Sequence, residues 1–254
     1  MRIPIIVSAI VTSAALFGAS PGWAQGETST LIAPPSPVIT SGTPPWMEAW
    51  LGFGITGDFR GASAGAVVPF SGNSWTDGFR VRGEALVGQY SATSLTSDDV
   101  FVHGASLMLG YRATVGRGAV TGYIGANYET HENDDRFATI RGTEVGVKGL
   151  LDYYVQITPY VDFYGMASYS TAYDTAVLFT RVGFKVVDTV WVGPETSYFQ
   201  NEVPYREQRI GAFVRFDQIF AGTGMSLAGG WLNPLSSTSD DGWYASLNFN
   251  FQFR

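Results

Sequence analysis

The sequence predicts an all-β chain, an antiparallel transmembrane β-barrel of twelve strands with ten as the alternative, and three observations support this. From Trp243 to Phe253 the residues alternate strictly. Trp243, Ala245, Leu247, Phe249, Phe251 and Phe253 take one parity, and Tyr244, Ser246, Asn248, Asn250 and Gln252 the other. That is a strand with one apolar and one wet face, and rings reaching the chain end suit an outer surface that meets lipid. The composition, 45% hydrophobic and 15% aromatic with 15% charged residues and 31 glycines, is poor in helix formers and reads as one β-rich domain. Tight separators alternate with longer polar ones, the short periplasmic turns and longer outer loops of an outer-membrane barrel.

The elements follow in chain order. Arg2, the apolar run from Ile3 to Ala19, and Gly22-Trp23-Ala24 ahead of Gln25 fit a signal peptide over 1–24. A retained anchor is the alternative, disfavoured by the short apolar run and weak flanking charge. Residues 25–45, with Pro34, Pro35, Pro37, Pro44 and Pro45, read as a Pro-rich periplasmic linker, and 46–254 as the barrel. Strands are expected near 47–57 and 62–70, a glycine-rich pair that keeps ten strands open, and near 78–90 and 99–114. Gly116-Arg117-Gly118 turns the chain into 119–129, and the polar stretch Thr130 to Ile140 leads to 141–157. Thr158-Pro159 then opens 159–171, followed by 175–187 and 190–199. Gln200 to Tyr205 precedes 206–219, Gly222-Thr223-Gly224 opens 224–232, and Asn233 to Asp241 leads to 242–253. Two spans fit poorly. Val177 and Phe179 share the parity of Arg181 and Lys185, and Pro194 cannot donate to a ladder, so a bulge or an early strand end is expected there.

Charge placement tests the barrel. If apolar parity marks the lipid face, Thr143, Val145, Val147, Leu151, Tyr153, Val155 and Ile157 point out, while Glu144, Lys148, Asp152 and Gln156 point in. The same rule sends Arg80, Arg82, Glu84, Arg112, Glu129, Asp162, Arg181, Lys185, Arg209, Arg215 and Asp217 inward. No Asp, Glu, Lys or Arg within a clear strand falls on the lipid face, where a charge near the bilayer midplane costs about 2–4 kcal/mol. The outer membrane of a Gram-negative bacterium is the expected location, with its lipid and lipopolysaccharide as surroundings.

Several function classes are excluded or weakened. A net charge of −7 disfavours nucleic acid as a partner, and with no cysteine there is no disulfide, thiolate nucleophile or Cys-based metal site. The inward face carries Tyr90, Tyr123, Tyr154, Tyr160, Tyr164, Phe213 and Tyr244 among Asn127, Gln156, Asn248, Asn250 and Gln252. Rings beside amides and carboxylates suit a glucan path; the alternative is a hydrogen-bonded network that plugs the lumen. No catalytic set is assigned. His103 and Ser106 fall on opposite faces, and His131 is placed in a loop with Glu132, Asp134 and Asp135, a solvated cluster without metal-ligand spacing. No metal or cofactor is expected. Asp98, Asp99, Asp240 and Asp241 extend an acidic outer rim.

Some blocks are more specific. Tyr123, Gly125 and Tyr128 to His131; Gly142, Gly146 and Lys148; Ser168 to Asp174; Gly193, Pro194 and Glu195; and Arg209, Gly211 and Phe213 together resemble the BcsS-type cellulose biosynthesis proteins of Gram-negative bacteria, from about Trp46 to Phe253. The resemblance implies an outer-membrane component of a cellulose synthesis and secretion system, with the cellulose chain and other synthesis components as candidate partners and no catalytic activity to carry over. The chain departs from the usual barrel ending by closing on Arg254 rather than an aromatic residue, with Phe253 one place before it. The resulting expectation is an accessory barrel that assists glucan export or organises glucan at the cell surface. The alternatives are a structural or adhesion barrel with a plugged lumen and a lipid-modifying enzyme.

Overall fold

The computed structural model describes residues 43–91, 99–132, 140–202, 205–220, 222–235 and 242–254. The expected signal peptide, most of the linker, and the loop acids Asp98, Asp134, Asp135, Asp240 and Asp241 lie outside the described residues. Twelve strands follow one another: β1 (Met47–Thr56), β2 (Phe59–Pro69), β3 (Gly78–Ser91), β4 (Asp99–Val115), β5 (Gly118–Glu132), β6 (Gly142–Thr158), β7 (Val161–Ser170), β8 (Thr175–Val187), β9 (Val190–Gln200), β10 (Arg206–Phe220), β11 (Thr223–Pro234) and β12 (Gly242–Phe253). A single 3₁₀ turn, Ala172–Asp174, joins β7 to β8. Each strand pairs antiparallel with its neighbours in sequence. The barrel closes where β12 pairs with β1, from Met47 opposite Phe253 to Thr56 opposite Tyr244. Closure leaves no edge strand whose backbone groups lack partners.

β1 begins and β12 ends at one end of the barrel, the terminal end, where most connections are tight: between β4 and β5, β6 and β7, β8 and β9, and β10 and β11. The opposite, loop end carries the longer connections, with the two-residue β1–β2 turn as its exception. At the terminal end the exception is the β2–β3 loop. That loop is folded by its own contacts, with Asn73 Oδ1 accepting from Trp75 N at 2.9 Å and Ser74 N donating to Pro45 O at 2.8 Å.

Alternation sorts the side chains as expected. On β12, Tyr244, Ser246, Asn248 and Asn250 are buried in the lumen while Trp243 and Phe253 are exposed outside. On β6, Leu150 is buried and Leu151 is exposed. Leu107, Leu109, Ile124, Val145 and Val147 make the outer wall an apolar belt.

Three expectations are corrected. β2 begins at Phe59 rather than residue 62, which brings Arg60 into the strand on the outward parity, exposed, with its Nη2 donating to Gln89 Oε1 at 3.0 Å. The outer face therefore carries a cation near the loop end, where the side chain leaves the apolar belt. β5 runs on to Glu132, so His131 is a strand residue buried in the lumen rather than a solvated loop residue. β7 begins at Val161, because Pro159 has no N–H to extend the ladder; Pro159 and Tyr160 form the turn and Tyr160 is 67% exposed, outside the lumen. The irregularity expected in β8 and β9 takes the form of a bulge rather than an early strand end. Val177 and Phe179 pack inside the lumen, and Pro194 sits within β9. Around the proline the β8–β9 ladder skips from Arg181 opposite Glu195 to Phe184 opposite Val192, and a bulge follows at Lys185 to Val187. The ladder on the other side, with Pro194 opposite Ala212, is unbroken.

Candidate functional site

The lumen is the candidate site, and it is filled. Its midsection holds a four-membered charge cluster from β3 and β6. Arg82 Nε donates to Glu84 Oε2 at 2.9 Å and its Nη1 to Asp152 Oδ2 at 3.2 Å, while Lys148 bonds Glu84 and Tyr164 donates to Asp152 Oδ1 at 3.0 Å. The Arg82 guanidinium also lies between two rings, 4.5 Å from the Trp50 centroid and 5.6 Å from that of Tyr123. Two cations face two carboxylates, and hydrogen bonds and ring faces share the desolvation of burying them. Inward glycines give the rings their space: a Cβ on Gly65 would strike the Trp50 ring, and one on Gly110 the Tyr123 ring.

A second cluster lies across the β8–β10 and β12 wall. Arg181 donates to Glu195 through Nε at 3.0 Å and through Nη2, and Tyr244 donates its hydroxyl to the other oxygen of Glu195 at 3.0 Å. The Arg181 guanidinium is 4.1 Å from the Phe213 centroid. Arg209 pairs with Glu207, which also accepts from the Tyr205 hydroxyl at 3.1 Å. Gly211 is required here, because a side chain would collide with the Tyr244 hydroxyl and the Gly229 carbonyl. Towards the terminal end Arg215 bridges Asp162 and Asp217, each at 2.7 Å, beneath the Trp191 ring.

The loop end is closed by a third cluster. His131 Nε2 is 2.9 Å from Glu129 Oε1, and Nδ1 is 3.1 Å from the Tyr90 hydroxyl. The Tyr173 ring packs edge-on against His131 at 4.7 Å between centroids. To reach it, Tyr173 and Asp174 adopt left-handed backbone angles, φ 52° and 45°, uncommon for residues with a Cβ. The strained turn is tied down on several sides. Tyr173 N donates to Glu144 Oε2 at 2.7 Å, its hydroxyl donates to Gly142 O at 2.8 Å, and its carbonyl accepts from Glu202 N at 2.7 Å. Burial, then the carboxylates of Glu144, Glu129 and Glu202, push the Tyr173 phenol up to about 12, which keeps it a neutral donor.

The structure places the expected inward residues in these separate clusters. Tyr123, Tyr154 and Tyr164 line one cavity with Arg80, Arg82, Arg112 and Asp152. Asn127 accepts from Ser106 at 2.8 Å and donates to Ser170 at 3.0 Å, Asn248 is buried on β12, and Lys185 pairs with Asp188 at the terminal rim. With Tyr160 in a turn, Tyr154, Tyr160 and Tyr164 do not form one track. As lumen contacts, Trp50, Trp191, Glu195, Glu207, Tyr173 and Tyr205 were not expected from the sequence. Inward parity was a usable signal for Trp50 and Glu207; Pro194 obscured that parity for Trp191 and Glu195; Glu195 and Tyr173 stood only in the blocks that carry the family resemblance, and nothing local marks Tyr205. His103 is on the outer wall, 3.9 Å from Glu132 and 3.5 Å from the Tyr128 hydroxyl, and Ser106 faces the lumen. Among the described residues no group of three His, Asp or Glu side chains is placed to hold a metal ion.

Two cavities remain in the lumen, of about 100 and 70 Å³, with Trp50 and Arg82 in the walls of both. At about 10–15 Å³ for each water-sized site they hold a handful of waters, not a polymer.

The family model described as cellulose biosynthesis protein BcsS matches residues 49–253. No curated protein matches the chain. Among solved structures, the KdgM porin in complex with disordered oligogalacturonate is 10% identical, with 82% of this chain and 99% of that chain covered and a TM-score of 0.51. An outer-membrane channel from Pseudomonas putida F1 is 12% identical over 87% and 100%, TM-score 0.52. The translocator domain of the autotransporter NalP from Neisseria meningitidis is 9% identical over 85% and 91%, TM-score 0.51. These likenesses show a shared barrel fold.

Proposed function

Because the chain belongs to the BcsS family of cellulose biosynthesis proteins, we propose that it is an outer-membrane barrel that organises cellulose at the cell surface, with a plugged lumen that is not the conduit for the glucan. The apolar outer belt supports insertion in a bilayer, since Leu107, Ile124 and Val145 are 65%, 65% and 75% exposed on neighbouring strands, far more than water tolerates as one patch. The terminal end with its tight turns then faces the periplasm, and the loop end faces the exterior. Lipid and lipopolysaccharide surround the belt, and other components of the cellulose apparatus are its partners. It performs no catalysis in this reading, with His103 and Ser106 on opposite faces of β4.

One observation carries the reading on the lumen. Arg181, Arg209, Arg215, Asp162 and Glu207 are each 1–2% exposed, whereas the lining of a sugar-wide channel would be open to water. The test is deletion of the gene, with cellulose measured separately in the periplasm and at the surface, beside conductance of the purified protein in planar bilayers. The proposal expects cellulose to reach the exterior but to be retained or arranged abnormally there, and little conductance. Cellulose trapped in the periplasm, together with a large steady conductance, would overturn it.

A further inference from the structure

The larger lumen cavity has a feature the plug does not account for. Its wall includes Arg80 of β3 and Arg112 of β4, on the terminal-end half of the barrel, with Glu48 of β1 and Gln252 of β12 opposite. Neither arginine forms an ion pair with a described carboxylate. This contrasts with Arg82, Arg181, Arg209 and Arg215, each held by a carboxylate. Arg80 is only 3% exposed and donates from Nη2 to the Thr76 carbonyl at 3.1 Å; among the described residues its Nε has no acceptor, and neither does Nε of Arg112. Asn250 Oδ1, on the same wall, also lacks a partner. Asp152, the other acid of the cavity, is already taken by Arg82 and Tyr164. Around a space of about 100 Å³ two guanidinium groups therefore share one further carboxylate, Glu48, which makes no ion pair with either, and the exposed Asp77 lies near Arg112.

Buried cations that outnumber their counter-charges are costly, and fork-shaped guanidinium donors left open match the paired oxygens of a carboxylate or phosphate. We infer that this cavity is a binding site for a small oxyanion, a phosphate or a carboxylate carried by a sugar, which Arg80 and Arg112 grip together. Tyr123, Tyr154 and Tyr164 line the same space and supply ring faces for a sugar bearing the charge. Arg112 is half-buried, so the site is reached from solvent at the terminal end. The site is independent of whether glucan crosses the barrel.

The experiment uses the full-length mature barrel in detergent and isothermal titration calorimetry at constant ionic strength, with sodium phosphate, sodium glucuronate and neutral glucose as separate titrants. Saturable binding of phosphate or glucuronate, and none of glucose, is expected. Arg80→Gln and Arg112→Gln should each weaken it by about tenfold or more, the loss of one charge-assisted contact, while Arg80→Lys keeps part of it. Heat-modifiable gel mobility checks that each variant is folded, and Arg112, being half-buried, remains informative if Arg80→Gln fails to assemble. Phosphate bound more tightly than glucuronate identifies a free or headgroup phosphate as the source, and the reverse order an acidic sugar. Binding of neither anion, binding of glucose as strong as that of glucuronate, or unchanged affinity in folded Arg112→Gln would overturn the site.

Discussion

Replacing Glu195 by alanine asks whether the lumen is dry. The Arg181 and Glu195 side chains are 1% and 3% exposed, and Glu195 accepts from both Arg181 and Tyr244. In a filled, water-poor interior, removing the carboxylate strands a buried guanidinium, which costs about 3–5 kcal/mol. The orphaned Tyr244 hydroxyl would on its own cost about 1–3 kcal/mol. Both figures count desolvation of the same small region, so they overlap rather than add, and about 4 kcal/mol is the expected total. Were the lumen an aqueous pore, water would solvate both groups and the pair would be worth about 0–1 kcal/mol. Urea unfolding of the detergent-solubilised barrel, followed by the shift between fast and slow gel forms, separates the two cases. Glu195→Gln should be milder, since its amide oxygen still accepts from Arg181 and its NH2 can donate to the Tyr244 hydroxyl oxygen. The double replacement Arg181→Met with Glu195→Leu should recover most of the loss, because similar-sized apolar residues remove both buried charges at once. A loss below about 1 kcal/mol for Glu195→Ala, or a double variant worse than the sum of the singles, would refute the plugged lumen.

Further outcomes follow from the same geometry. Leu151→Arg should lower assembly into lipid vesicles by about 2–4 kcal/mol, as it puts a charge on the apolar outer wall; normal yield of the heat-modifiable form would show that Leu151 does not face lipid. Tyr164→Ala empties a buried position and breaks the bond to Asp152, for about 3–5 kcal/mol of lost stability, whereas Tyr160→Ala in the exposed turn should leave both unfolding and surface cellulose unchanged. Gly211→Ala drives a methyl group into the Tyr244 hydroxyl and the Gly229 carbonyl and should destabilise by about 1–3 kcal/mol in the same urea assay, relieved only in part by Tyr244→Phe, which removes the hydroxyl but not the carbonyl clash.

The barrel was legible because closure makes each strand repeat one constraint. An apolar outer wall and a polar lumen impose a period of two along every strand, so the expected bounds fall within a few residues of the observed ones, from 47–57 against Met47–Thr56 to 242–253 against Gly242–Phe253. The misses sit where another force overrides the period. Phe59 starts β2 early because Gly61 and Gly88 leave room for its ring inside. β5 extends through His131 because Glu129, Tyr90 and Tyr173 satisfy the imidazole in the lumen, which a reading from nearby loop acids could not see. Pro194 is tolerated mid-strand because only one of its two ladders is interrupted.

The site was less legible, for a reason of distance. Parity says that Arg215 and Asp162 both point inward, but whether two inward groups meet depends on shear and on the chords across the lumen. Arg215 and Asp162 lie 53 positions apart in the chain, and Lys148 and Glu84 64. The blocks that carried the family resemblance show what those chords achieve. Glu129 and His131 from one block, Gly142 from a second and Tyr173 from a third meet as the loop-end closure. Glu195 from the Gly-Pro-Glu block meets Phe213 and the notch at Gly211 through Arg181 and Tyr244. A pore would need such residues only to be polar and turned inward. Here each is fitted to one partner, by a ring in a glycine notch, a guanidinium on a ring face or a left-handed turn over an imidazole, and such pairwise fitting is what a stable plug requires.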